Sequence, residues 1–521
     1  MTTQTMEPSD FIPVEKQKTF FGHPAGLFIL FFTEMWERFS YYGMRALLVL
    51  YMTRYLISDP ERASRVLGFE TLHRLLEIGF GPLATQPLAS QLYGLYTGFV
   101  YLSPFFGGII ADKVWGQRRT VYVGAIIMAI GHFLMASEAM FLPALLCLII
   151  GNGAFKPNIS TQVGNLYPAG DPRRDGAFTI FYMGVNLGAF FSPLVCGTLG
   201  QSKNWGWHWG FGAAGVGMII GLAVYHFGRH LLPIDKHMEK KSDQLAAFSD
   251  ELIAPESNSK AMLFKTVFGF FAAMIIFFII LVIPAILKLL VILAVIGGIS
   301  FTISKLKPEE RSRVIALCLM SLGAVAFWAI YEQQGNSMEL WADEQTIWPV
   351  IMGFQIPSTW FQSFNPFMIF LFAPFLDMWW NSQAKKGKGS TSIRKMGLGC
   401  ILTGCSFIVM ILCVKVTGVG MKSGLGWITI MTWMLTIGEL YLSPIGMSVV
   451  TKVAPKNMLS MMMGVFLAAS FLGNYLSGYL GSFYNTMPKE NFFLMLTVIG
   501  VAVGFLFLAS EKQLKKAMGD V

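Results

Sequence analysis

The sequence predicts an all-α membrane protein of fourteen helices, arranged as two six-helix bundles with a two-helix insert between the sixth and seventh spans. Three observations predict it. Apolar residues make up 54% of the 521-residue chain and charged residues only 13%, about half the charged share of a soluble domain. The apolar residues come in blocks of about 20, the length a helix needs to cross the hydrocarbon core. Basic residues collect in the short segments after alternate blocks, as orientation signals do. The formal charge of +9 is spread over these segments, so it marks orientation and not a nucleic-acid surface.

The first six apolar spans read as 26–56, 88–111, 119–137, 141–167, 175–199 and 208–231. A charged stretch follows at 233–260. Residues 261–304 are apolar again and broken at Pro284, as a hairpin of two helices would be. Spans resume at 311–334, 364–380, 396–414, 426–451, 457–484 and 492–510. Lys113, Arg118 and Arg119, then Arg173 and Arg174, then Lys385, Lys386, Lys388, Arg394 and Lys395 follow even-numbered spans. Segment 335–349 carries Glu339, Asp343 and Glu344 and no basic residue, so it reads as an outer loop. Both termini then belong on the cytoplasmic side. The insert is flanked by Lys236, Lys240 and Lys241 before it and Lys305, Lys307 and Arg311 after it, so both its ends return to that side. Loop 54–87 is the exception, with four arginines on the outer side, accompanied by Asp59, Glu61, Glu70 and Glu77. The expected divisions are an N-terminal segment 1–24, a bundle 25–232, a linker and inserted hairpin 233–310, a second bundle 311–510 and a tail 511–521.

The six cysteines (Cys147, Cys196, Cys318, Cys400, Cys405 and Cys413) all lie within or beside apolar blocks. Their spacing suits buried small residues, not a disulfide framework or a metal site. No cofactor and no catalytic residue is expected.

The two halves echo each other. Gly151 to Pro157 in the fourth span and Gly438 to Pro444 in the tenth are both Gly-x5-Pro. Met183-Gly184-Val185 recurs as Met463-Gly464-Val465, and Gly197-Thr-Leu-Gly200 as Gly478-Tyr-Leu-Gly481, at offsets of 287, 280 and 281 residues. A duplicated six-helix unit is the architecture of the major facilitator fold, with its site expected at the midplane between the halves.

Ionisable groups inside the spans are the functional signal, since each costs about 2.5–3.5 kcal/mol or more at the bilayer centre. The first span holds Glu34, Glu37, Arg38, Tyr41, Tyr42 and Arg45. Positions 34, 38, 41 and 45 line one helix face. Of the two acids, Glu34 is the better placed on that face to meet Arg38. Lys156 precedes Pro157 in the fourth span, where the helix is disturbed. Glu332 and Glu439 are lone carboxylates in the seventh and tenth. Asn186, Asn365 and Asn474 are neutral polar groups suited equally to helix–helix hydrogen bonding or to a ligand. His132 reads as a packed histidine. Asp112 with Arg118 and Arg119 closes the second span as a conformational lock or an orientation signal.

These residues bring a family into view. Glu34-Met-Trp-Glu-Arg-Phe-Ser-Tyr-Tyr-Gly43 resembles the ExxERFxYYG signature of the proton-dependent oligopeptide transporter family. Gly151-Asn-Gly-Ala-Phe-Lys-Pro-Asn-Ile-Ser160, Phe181-Tyr-Met-Gly-Val-Asn-Leu-Gly188, Phe327-Trp-Ala-Ile-Tyr-Glu-Gln-Gln-Gly335, Asn365-Pro366 and Gly438-Glu-Leu-Tyr-Leu-Ser-Pro444 resemble its motifs in the fourth, fifth, seventh, eighth and tenth helices. The resemblance runs from about residue 22 to 510.

The resemblance implies a monomeric symporter in a bacterial inner membrane, importing di- and tripeptides, or peptidomimetic drugs, with protons as the coupling ion. It implies that Glu34, Glu37, Arg38, Lys156 and Glu332 couple to protons. Arg45 and Lys156 would meet the peptide carboxylate, and Glu439 and Asn365 the amino end. Tyr41, Tyr42, Asn186 and Ser470 would line the pocket. Gly94 follows Tyr93 where some animal members carry a histidine, and Phe466 stands where a tryptophan is common. Two other readings compete: a carrier of nitrate or another small metabolite on the same scaffold, and a membrane enzyme. For the latter, the sequence of the spans shows no motif that pairs Ser with His and no His cluster.

Overall fold

A computed structural model describes residues 12, 14–168, 170–233, 257–455 and 458–518. Most of the linker, with Lys236, Lys240 and Lys241, lies outside the described residues. Packing groups the chain into two compact units: Met1–Met44 with Leu102–Ile276, and Arg45–Tyr101 with Phe277–Val521.

Among the described residues, eleven helices are long and apolar enough to cross a membrane. Three further helices carry more charge or polarity: α1 (Ala25–Tyr51), α5 (Gln117–Leu134) and α13 (Phe364–Lys385). Together they are the fourteen that the hydropathy blocks predict. In α1 the apolar run is interrupted by Glu34, Glu37, Arg38 and Arg45.

The first unit holds the beginning of α1, the end of α4 (Thr85–Ile110), α5, α6 (Phe141–Asn165), α7 (Arg173–Ser192) and α8 (Trp207–Gly228). Most of α9 (Ser257–Val282) belongs to it as well. Helix α6 contains Pro157. A proline has no N–H to give the carbonyl four residues back, so Gly153 loses its helical donor there. Gly107 of α4 lies directly on that carbonyl, where a Cβ would collide. Asn158 Nδ2 steadies the site by donating to Ala154 O at 2.7 Å.

The second unit begins in the middle of α1 at Arg45. It takes in two helices inside the segment that reads as loop 54–87: α2 (Pro60–Arg65) and α3 (Phe69–Phe80). Asp59 caps α2 by accepting from Glu61 N at 3.0 Å, with Pro60 at the first helical position, the usual start signal. Helix α3 is amphipathic: Phe69 and Leu76 are buried while Glu70 and Arg74 pair on its exposed side. Gly79 of α3 lies against Leu281 at the end of α9, and Phe80 meets Tyr479 with ring centroids 5.6 Å apart. Segment 69–80 is thus folded against the end of α9 and against α16.

The insert continues as α10 (Ala285–Ser304), in which no residue is buried. Only α9 packs. Its Phe277 meets Phe99, Phe471 and Tyr475 at 5.5, 5.6 and 4.9 Å between ring centroids. The rest of this unit is α11 (Pro308–Tyr331), α12 (Ser337–Glu344), α13, α14 (Ser392–Thr417), α15 (Leu425–Val453), α16 (Leu459–Gly481) and α17 (Lys489–Met518). Gly94 and Gly478 bring α4 and α16 into backbone contact, and a Cβ on Gly94 would come 2.6 Å from Gly478 Cα.

Segment 335–349 differs from the loop expected. A 3-10 turn (Glu332–Gly335) and a break at Asn336, φ −118° and ψ −99°, lead into α12. The chain stays helical past the seventh span, so Glu339 is fully buried instead of solvated.

Candidate functional site

In the first unit, the ionisable face of α1 is buried. Glu34 and Arg38 are each 3% exposed and Glu37 is not exposed at all. Arg38 is held by both acids. Its Nε lies 3.2 Å from Glu34, and its Nη2 donates to Glu37 Oε1 at 2.5 Å. The tighter partner is Glu37, not the same-face Glu34, and the Glu37 carboxylate is held by a second helix as well. Asn152 of α6 holds it, donating to Glu37 Oε1 at 3.2 Å.

Lys156, half-buried on α6, is close enough to Glu34 to act on it electrostatically. Arg38 also lies over the Tyr41 ring at 5.1 Å, and Tyr41 meets Tyr42 edge-on. Two acids and two bases therefore converge with two phenol rings. Asn186 is buried on α7, and its amide donates to Tyr182 O at 3.0 Å. His132 is fully buried with Nε2 2.5 Å from Ser40 Oγ, a packed histidine as the sequence suggests.

Of the residues expected to form the lock, Arg118 and Arg119 open α5 and Asp112 lies just after α4. Buried Arg118 donates to the carbonyl of Arg229, Arg119 stacks on Trp115 at 5.6 Å, and Asp112 is exposed.

In the second unit, Arg45 lies beside Glu332, Nη2 to Oε2 2.5 Å, with Tyr93 Oη accepting from Arg45 Nε at 2.8 Å. All three are buried. Glu439 of α15 sits in a neutral cradle: Tyr331 Oη and Asn365 Nδ2 both donate to its Oε2, at 2.8 and 2.9 Å. Asn365 is held in turn by Thr436 Oγ1 at 3.0 Å. Arg45 and Glu332 are near enough to bear on Glu439 through space. One cation and two carboxylates thus share a buried region, with the carboxylates held differently: Glu332 by an arginine, Glu439 by uncharged donors. Ser470 and Asn474 are buried on α16, where Asn474 Nδ2 donates to Ser470 O at 2.9 Å.

Sequence reasoning missed Asn152, Tyr93 and Tyr331, the partners of Glu37, Arg45 and Glu439. It also counted Glu339 as a loop acid. Tyr93 and Tyr331 carry no charge, and aromatic residues are common in apolar spans, so only proximity reveals them. Asn152 is a polar residue inside an apolar span, and that is a signal the sequence does carry.

A profile of the POT family matches residues 118–498. The first-helix signature at 34–43 lies outside that match and agrees with it independently. The chain is 36% identical over 518 residues to the transporter YclF of Bacillus subtilis strain 168, covering 97% of each. It is 34% identical over 525 residues to a di-/tripeptide transporter of Lactococcus lactis subsp. cremoris, covering 97% of this chain and 98% of that one. Among solved structures, a mutant of a peptide transporter POT in complex with alafosfalin is similar with a TM-score of 0.76, 33% identity and 98% coverage of both chains.

Proposed function

The chain belongs to the POT family of membrane transporters, and from that premise we propose that it carries di- and tripeptides across the membrane together with protons. It is a multi-pass carrier with the major facilitator fold, not an enzyme.

The observation that carries the proposal is the buried Arg45–Glu332 pair. Separating a buried ion pair is costly unless each partner is compensated. A peptide carboxylate can replace Glu332 at Arg45, and a proton can neutralise the carboxylate released. Neither event is favourable without the other, which is the requirement of a symporter. The charge balance is one proton for one substrate carboxylate at this pair. At the other end of the peptide, Glu439 presents a carboxylate to an ammonium group, and Asn365 and Tyr331 fix its direction. The acids around Arg38 and Lys156 supply further proton-binding groups in the first unit.

In this reading no cofactor is needed beyond the proton, and the protein works as a monomer by alternating access of its two six-helix halves. It resides in a bacterial inner membrane with both termini cytoplasmic, as the placement of basic residues between spans supports. The membrane potential contributes about 2.3 kcal/mol per proton for each 100 mV, more than tenfold accumulation.

The test is uptake of labelled dialanine by proteoliposomes under an inward proton gradient. Uptake should collapse with an uncoupler and be competed by tripeptides. Unchanged uptake with the uncoupler present would contradict proton coupling.

A further inference from the structure

Glu339 is a fully buried carboxylate with no part in the pairs around Arg38, Arg45 or Glu439. It lies seven residues past Glu332, beyond the break at Asn336, on α12. Its Oε2 accepts from Gln362 Nε2 at 2.6 Å. Its Oε1 is buried with no hydrogen-bond partner, and among the described residues no cation lies within ion-pair distance of it. Gln362 is fixed in this orientation because the same nitrogen also donates to Gln334 O at 2.8 Å.

The charged groups that act on Glu339 are Arg45 from α1 and Asp343 from α12 itself. Asp343, one turn further, is a quarter exposed; it pairs with Arg54 at 3.0 Å and accepts from Ser358 Oγ at 2.9 Å. Arg45 is thus shared: it pairs with Glu332 and acts through space on Glu339, while Asp343 lies toward the accessible end of α12.

A merely structural side chain at this position would have no need of an acid. A glutamine would accept equally from Gln362, without the penalty of a buried ionisable group. What the carboxylate adds is an oxygen free to hold a proton.

We propose that Glu339 is a proton-carrying residue that passes protons from the Asp343 end to Glu332. This rests on the symport reading above and deepens it. When a substrate carboxylate takes Arg45, Glu332 is left as an unpaired carboxylate. The O–H bond at Glu339 Oε1 breaks, the proton passes through intervening water, an O–H bond forms on Glu332, and Glu339 is left as the carboxylate. A proton from solvent at the Asp343 end restores it. One proton enters and the charge at each residue balances.

The test compares wild type, Glu339→Gln and Glu339→Asp in proteoliposomes. Glu339→Gln keeps the acceptor for Gln362 and cannot carry the proton. Its gradient-driven dialanine uptake should fall by about tenfold or more, while counterflow, which requires no net proton movement, persists. Glu339→Asp should restore part of the uptake. The pH-difference infrared spectrum should lose one carboxyl band in Glu339→Gln. Gradient-driven uptake by Glu339→Gln equal to wild type overturns the proposal, and so does loss of counterflow along with uptake, which marks a structural role. If wild type itself shows no proton-driven uptake, the symport reading fails. The infrared spectrum then decides on Glu339 alone: an unchanged carboxyl band overturns it.

Discussion

Arg45 donates through Nη2 to the Glu332 carboxylate at 2.5 Å, although 287 residues separate them in the chain. Both side chains are buried, and Tyr93 Oη accepts from the guanidinium at Nε. A buried pair of this kind is expensive to assemble and more expensive to break from one side. In the proposed mechanism its value lies in that asymmetry, because a proton and a substrate carboxylate acting together part it without leaving a bare charge.

Glu332→Gln removes the charge that the proposed mechanism sets against substrate at Arg45 and keeps a polar partner for it. Dialanine binding, read by calorimetry, should persist, while uptake driven by a proton gradient disappears. Arg45→Ala should abolish both binding and uptake. It also leaves Glu332 buried without its partner, at a cost of about 3–5 kcal/mol, read as a lower midpoint in a thermal unfolding scan. Binding by Arg45→Ala comparable to wild type would remove Arg45 from the substrate.

Glu439 tests the amino end. If its carboxylate takes the peptide ammonium, N-acetyl-dialanine should compete with labelled dialanine much more weakly than dialanine itself. A charge-assisted hydrogen bond is worth about 1.5–3 kcal/mol, or roughly ten- to 150-fold in affinity. Asn365→Ala, which loosens the cradle, should narrow the difference between the two competitors. Equal competition by both would contradict the assignment.

The polar contacts beyond Glu332 should divide sharply by burial. Arg54 bridges Asp343 and Glu344 at 3.0 and 2.9 Å but is 44% exposed, so Arg54→Ala should cost less than about 1 kcal/mol. Asn336 is fully buried, accepts from Ser90 Oγ at 2.8 Å and donates to Ser477 O at 3.3 Å. Asn336→Ala orphans both partners and should cost about 1–3 kcal/mol. Unfolding midpoints in one detergent give the comparison; a larger loss for Arg54→Ala would refute it.

Gly94 and Gly478 allow α4 and α16 to touch through their backbones. Gly94→Val should force the helices apart at an overpacking cost of about 1–3 kcal/mol, seen as a lower yield of monodisperse protein. A yield and midpoint like wild type would show that the contact is not required.

Much of this is legible in the sequence because a bilayer makes exceptions conspicuous. Charges in an apolar span are costly, so Glu34, Glu37, Arg38, Arg45, Lys156, Glu332 and Glu439 stand out from the residue pattern alone, and all are buried or half-buried on helices. Pairing is less legible. Spacing favours Glu34 for Arg38, whereas Glu37 is closer, and Asn152 on another helix holds its carboxylate as well. Glu339 is hidden for a related reason. A loop acid and a buried acid look alike in one dimension, and the return to helix after the break at Asn336 has no proline or cap to announce it. The helices within 54–87 do have signals, the Asp59-Pro60 start and the amphipathic run at 69–80. The arginines there draw attention to orientation instead.

The measurement closest to the central claim is proton movement driven by peptide alone. Proteoliposomes would be held in weakly buffered medium with no imposed gradient, under a potassium–valinomycin clamp, while an external electrode follows pH as dialanine is added. The account predicts alkalinisation of the medium on dialanine addition, absent with Glu332→Gln. Dialanine entry with no change in external pH would contradict it.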